Sequence, residues 1–160
     1  MTSAPNKTAE YMKGLSLVYP QSNFYHWQLN ESKKVTITSF MDNPELKKII
    51  LGALGEWIST EDYCFENAIQ LCYYDKRIKY VEGVATVDHI PTEHAWNYFE
   101  GIYFDLTAEI VFDGLGFSDY YQVINIPISQ VKKLATSTEI PGWVRKIYND
   151  KVAKIDRSKR

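Results

Sequence analysis

The sequence predicts an α+β domain, and three observations carry that expectation. Two helix-patterned segments, 44–57 and 59–74, follow one another in the first half of the chain. Four segments rich in Val, Ile, Tyr, Phe and Trp then occupy 78–126, punctuated by GluGly, AspGly and a proline, for which an antiparallel sheet is the natural reading. Two closing helices complete the pattern, the second of them basic.

In chain order, residues 1–10 are polar and are expected to be loose. After TyrProGlnSerAsn at 19–23, the alternation Tyr25, Trp27, Leu29 and then ValThrIleThr at 35–38 predict two short strands. AspAsnPro at 42–44, followed by GluLeuLysLysIleIleLeuGlyAlaLeuGlyGluTrp, predicts a helix with a capping residue, a proline in its first turn and an early acid. SerThrGluAsp at 59–62 opens a second helix, which ends near Tyr74 because AspLysArg at 75–77 is turn-like. Within it Phe65, Ala68, Ile69 and Cys72 keep the i, i+3, i+4, i+7 spacing of a buried stripe, so Cys72 belongs to the core. Cys64 lies about 100° round from Phe65 in the first turn, where backbone N–H groups are unpaired and the helix dipole favours an anion. Strands are expected at 78–87, 93–99, 102–112 and 119–126, and helices at 127–135 and from 142 to about 153. With no internal repeat and no low-complexity linker, residues 1–160 read as one domain with a basic C-terminal helix at 141–160.

A chain of 160 residues buries roughly two-thirds of its unfolded surface and needs no staple. Its 12 Tyr and 4 Trp suggest large amphipathic rings lining a core and a cleft. No window approaches 18 uninterrupted apolar residues, and the start, MetThrSerAlaProAsnLys, lacks the apolar core of a secretory signal; a cytoplasmic protein with no membrane partner is expected. Cys64 and Cys72 are separated by about 12 Å of helical rise, too far for a disulfide. With only three histidines and no CxxC pair, no metal site and no cofactor are expected. From Pro141 onward seven cations face Asp150 and Asp156, a net +5, which leaves −7 on the first 140 residues of a chain whose total is −2. A nucleic acid partner needs a basic face and not just a basic end, so the tail reads as a solvated helix.

The constellation that can carry chemistry is Cys64, His94 in HisAlaTrpAsn and Asp105 in PheAspLeuThr. If Glu100–Gly101 closes a two-residue hairpin, Trp96 lies opposite Asp105 and His94 opposite Thr107. His94, Trp96 and Tyr98 then share a face with Tyr103, Asp105 and Thr107, and His94 and Asp105 are diagonal neighbours. An odd loop would put them on opposite faces. A thiol near a helix N-terminus and an imidazolium is activated as thiolate, the histidine returns its proton to the leaving group, and the carboxylate orients and supports the ring. Trp96, Tyr98 and Tyr103 are the candidate substrate-binding residues, and Trp96 also shields the pair from water. Backbone N–H groups around Cys64 are the expected oxyanion donors; a side-chain donor such as Gln28 or Trp27 is not fixed by spacing. His89, before Ile90 and Pro91 in an apparent loop, is a rival base, and His26 has no visible acidic partner.

CysPheGluAsnAlaIleGlnLeu, TyrValGluGlyValAla, HisAlaTrpAsn and GlyIleTyrPheAspLeuThr, over residues 60–110, resemble the core of the transglutaminase-like branch of papain-fold cysteine enzymes. The short stand-alone form is similar to bacterial or phage members. The resemblance implies a papain-like core, with the cysteine helix packed on an antiparallel sheet that carries histidine and aspartate. It also implies Cys64 as nucleophile, His94 as general base and acid, and Asp105 as orienting partner. The chain departs from the family pattern at Leu106, where proline is frequent, and at Asp62 and Tyr63, where small residues precede the cysteine. The leading expectation is a cysteine-dependent hydrolase or acyltransferase acting on a peptide, protein or small-molecule acyl substrate. The alternative is a catalytically inactive module that binds a peptide or small molecule in the same cleft.

Overall fold

A computed structural model describes residues 10, 13, 23–56, 64–88, 90–112, 116–137 and 142–158. Within them lie α1 (Asn23–Glu31), β1 (Lys33–Val35), a 3-10 turn (Phe40–Asp42), α2 (Pro44–Glu56), α3 (Cys64–Tyr74), β2 (Lys79–Val87) and β3 (Ile90–Phe99). They are followed by β4 (Ile102–Phe104), α4 (Leu106–Val111), β5 (Phe117–Ile126), α5 (Ile128–Ser137) and α6 (Trp143–Ser158). The α+β class is therefore as expected.

The sheet runs β1-β5-β2-β3-β4, with every neighbouring pair antiparallel. Just past β1, Ile37 forms a parallel bridge with Tyr103, and Thr38 N donates to Tyr103 O at 2.8 Å. The chain leaving one edge strand thus reaches the other, so the sheet curls on itself and those backbone groups are paired instead of exposed. The two faces of β3 serve different cores. Ala95 and Phe99 join Leu46, Ile50, Leu71, Cys72, Tyr80 and Trp143 under the helices, whereas Trp96 joins Val35, Val81, Ala85 and Tyr120 inside the curl. Leu71 is fully buried, and truncation to alanine at such a site costs about 2–5 kcal/mol.

The helix expected after AspAsnPro is α2, and its cap is the Asn43 side chain, whose Oδ1 accepts from Leu46 N at 2.9 Å. Of the second helix, the residues from Cys64 onward are described; the expected start at 59–62 lies outside them, as do all but Glu10 of residues 1–10. Three expectations need correction. The alternation at 25–29 belongs to a helix, because Phe24 and Trp27, three residues apart, share the face that packs on α6: Tyr148 meets Phe24 at 5.4 Å and Trp27 at 5.6 Å. The strand at 35–38 is Lys33–Val35 followed by the single bridge at Ile37. The strand at 102–112 stops at Phe104, and Leu106–Val111 is helical.

α6 is the basic helix, and part of its charge is spent on packing. The Arg145 guanidinium lies 4.0 Å from the Phe24 ring and 3.4 Å from Glu93, and Lys151 lies 5.2 Å from the Trp27 ring. No helix among the described residues is long and apolar enough to cross a membrane.

Candidate active site

The β3–β4 hairpin sets the parity of the site. Glu100 and Gly101 both have positive φ, 43° and 90°, the backbone signature of a two-residue primed turn. Asn97, Tyr98 and Phe99 accordingly pair with Phe104, Tyr103 and Ile102, which is the even-loop register. His94, Trp96 and Tyr98 share a face, and the Tyr98 and Tyr103 rings meet edge-on at 4.9 Å.

The ladder ends before Asp105, so the expected Trp96–Asp105 pair does not form. Asp105 is instead the N-cap of α4, its Oδ1 accepting from Ala108 N at 3.1 Å. This placement delivers the carboxylate to the histidine all the same: His94 Nε2 lies 2.6 Å from Asp105 Oδ2, with both side chains buried. A carboxylate can only accept, so Nε2 carries the proton and Nδ1 is the ring nitrogen left for the thiol. Asp105 Oδ2 has a second donor that the sequence did not reveal, the Tyr120 hydroxyl at 2.7 Å.

α3 begins at Cys64 and packs on β3, the strand of His94. Asn97 holds the helix to the sheet, its Nδ2 donating to Ala68 O at 2.9 Å and to Lys79 O at 3.2 Å. One turn beyond Cys64, Asn67 Nδ2 donates to Thr107 Oγ1 at 3.2 Å and ties the start of α3 to the start of α4. Cys64 is half-buried, and its side chain is among the groups that raise the His94 ring. Burial is the largest single influence on the His94 ring and opposes its charge. The Asp105 charge and hydrogen bond, with the contribution of Cys64, outweigh burial and raise the ring from 6.5 to about 10. The arrangement therefore favours an imidazolium held by the Asp105 carboxylate, with Cys64 contributing to the shift.

The two thiols differ in kind. Cys72 is fully buried in the helix-side core, where burial pushes it up to about 12 against the weaker opposing effect of the Asn97 hydrogen bond. That makes it an inert structural thiol. Of the three candidate binding rings, Trp96 is 1% exposed and stacks on His94 at 6.0 Å, so it covers the histidine from inside the curl instead of rimming a cleft. Tyr98 and Tyr103 are half-buried and occupied with each other. Trp27 is engaged at the α1–α6 contact, whereas the Gln28 amide is buried with its Nε2 unpartnered. His89 lies outside the described residues, and His26 belongs to α1.

Two further features flank the site. A cavity of about 320 Å³ opens on the Asp105 side, walled by Ile37, Ser39, Asp105, Ala108, Glu109, Phe117 and Tyr120; neither Cys64 nor His94 borders it. Glu109 is held there by Ser39 Oγ at 2.8 Å and Phe40 N at 3.2 Å, which fastens α4 to the 3-10 turn. On the helix side, Glu82 is buried and forms no ion pair among the described residues. It accepts from Tyr80 Oη at 2.8 Å and from Val144 N, at the start of α6, at 3.1 Å. Burial raises Glu82 from 4.5 to about 7, against the opposing effect of those hydrogen bonds.

A signal for the Asp105 cap was present, since aspartate before an apolar segment is a helix-start pattern. Tyr120 had none, because it meets Asp105 through the sheet: β5 pairs with β2, and β2 with β3. Among the described residues no group of three His, Cys, Asp or Glu side chains is arranged to hold a metal ion. No family model, curated protein or solved structure matches the chain.

Proposed function

We propose that the protein is a cysteine-dependent acyl-transfer enzyme, a hydrolase of amide, isopeptide or thioester-like bonds, with Cys64 as nucleophile, His94 as general base and acid, and Asp105 as the orienting carboxylate. The observation that carries the proposal is the buried 2.6 Å contact of His94 Nε2 with Asp105 Oδ2 on a ring whose ionisation also responds to the Cys64 sulfur. The likeness of the Cys64, His94 and Asp105 segments to the transglutaminase-like branch of papain-fold enzymes is part of the same proposal.

In this reading the Cys64 proton passes to His94 Nδ1 and the sulfur attacks the carbonyl carbon. The oxyanion that forms is met by backbone N–H groups in the first turn of α3. The carbon–nitrogen bond breaks as His94 returns the proton to the leaving amine, giving a thioester on Cys64. Water, losing a proton to His94, then attacks the thioester, and the acid and the free thiol are regenerated. Hydrolysis is favoured over transfer because water is always present. Asp105 keeps Nε2 protonated and supports the positive charge throughout, and Trp96 keeps water from weakening that interaction. We place the enzyme in the cytoplasm, where two unpaired thiols are stable.

The test is a stopped-flow burst with p-nitrophenyl acetate followed by mass mapping. One equivalent of acetyl on Cys64, absent from Cys64→Ser and from His94→Ala, supports the proposal. A burst that survives Cys64→Ser contradicts it and leaves the alternative of a binding module.

A further inference from the structure

We propose that Tyr120 is a positioning residue of the acyl-transfer centre: its hydroxyl fixes the orientation of the Asp105 carboxylate, and its ring forms part of the wall that limits that carboxylate's exposure to the adjoining cavity. The inference rests on the reading of Cys64, His94 and Asp105 as the reacting unit.

The geometry gives the hydroxyl a specific task. Asp105 Oδ1 is tied to Ala108 N at 3.1 Å, which leaves the other oxygen free to swing about that anchor. Oδ2 must stay on His94 Nε2 if the ring is to keep Nδ1 toward the sulfur, and the Tyr120 hydroxyl at 2.7 Å is its second tether. Because the tether comes from β5 and the histidine from β3, the carboxylate is gripped from two strands that are not neighbours. The tyrosine has little freedom of its own: its ring meets Trp96 edge-on at 5.1 Å and lies 6.0 Å from the His94 ring. Burial first, and then the Asp105 charge, push its hydroxyl well above the usual tyrosine range, so it remains an O–H donor at any physiological pH.

The ring has a second task. Asp105 and Tyr120 both border the cavity of about 320 Å³, yet the carboxylate is only 2% exposed. Tyr120 forms part of the wall that keeps water off the His94–Asp105 pair, where a low dielectric strengthens the attraction. Hydroxyl and wall can be removed separately, because Tyr120→Phe keeps the ring and Tyr120→Ala loses both.

The experiment follows the His94 ring by NMR titration and the alkylation of Cys64 by iodoacetamide from pH 5 to 10 in wild type, Y120F and Y120A. The titratable groups facing the ring are Asp105 from the cap of α4, Cys64 from α3 and Tyr120 from β5. Y120F is expected to fold and to melt several degrees below wild type, to titrate His94 at lower pH, and to alkylate Cys64 about tenfold more slowly, the factor that corresponds to one hydrogen bond to a charged group. Y120A, which removes the wall as well as the hydroxyl, is expected to slow Cys64 alkylation further. Y120F curves that superimpose on wild type in both readouts would overturn the proposal and leave Tyr120 as packing, and they do so even if Y120A fails to fold. Wild-type Cys64 that alkylates no faster than Cys72 would instead defeat the acyl-transfer reading, while the His94 titration would still decide whether Tyr120 orients Asp105.

Discussion

Replacing Asp105 by asparagine removes the charge that keeps His94 protonated while leaving the cap of α4 in place. Asparagine caps helices as well as aspartate does, so Ala108 N keeps its acceptor. The folding cost then falls mainly on the bonds to Oδ2 from His94 and Tyr120, each worth about 1.5–3 kcal/mol when the acceptor is charged. The effect on the histidine is larger. In wild type its midpoint is raised to about 10; without the carboxylate, burial is left as the main influence and the midpoint falls below the ordinary 6.5. At pH 7.5 the imidazolium fraction then drops from nearly complete to roughly a tenth or less, and the charge that His94 offers the sulfur drops with it. Stability carries the same signature with a definite sign. A raised histidine stabilises the fold fully below pH 6.5, and that contribution is lost as pH rises through about 10, so wild type should weaken across this window and Asp105→Asn should not. Iodoacetamide alkylation of Cys64 against pH, with thermal melts on the same samples, provides both readouts. An Asp105→Asn alkylation profile that overlays wild type would refute the reasoning.

Glu82→Gln should flatten the pH dependence of melting on the acidic side of neutrality. The carboxyl is raised to about 7, so the native state holds a proton that the unfolded chain releases from about 4.5 upward. Wild type should therefore lose on the order of 3 kcal/mol between those values, and a variant that keeps the full slope would show that Glu82 is not the group responsible. Gly83→Ala should destabilise by about 1–3 kcal/mol or more, because a Cβ there would lie 1.9 Å from Tyr121 O, where β2 shifts register against β5. Relief of that contact displaces the strand that carries Tyr120, so Cys64 alkylation should slow as well; a variant as stable and as reactive as wild type would contradict the packing described.

Much of the site could be read from the chain because local rules governed it. The Glu100–Gly101 turn fixed the parity that puts His94, Trp96 and Tyr98 on one face, and the helical spacing of Phe65, Ala68, Ile69 and Cys72 assigned Cys72 to the core. What was misread depended on contacts with distant partners. The 25–29 alternation coincides with a helical stripe whose meaning comes from Tyr148, more than a hundred residues away. The stretch after Asp105 is rich in strand formers, and a six-residue helix has little stability of its own; α4 exists because Asp105 caps it and Glu109 ties it to Ser39 and Phe40. Nothing local distinguishes Tyr120 from its neighbour Tyr121 or marks Glu82 as buried, and their roles emerge only once the sheet has curled and α6 has docked.

Whether Cys64 and His94 act as one unit is read most directly from the relative rate at which the two thiols alkylate at pH 6 in the native protein, resolved by peptide mass mapping. The account predicts that Cys64 reacts far faster than Cys72 and that His94→Ala removes the advantage. Equal and slow modification of both cysteines, or a fast Cys64 that is indifferent to the loss of His94, would contradict it.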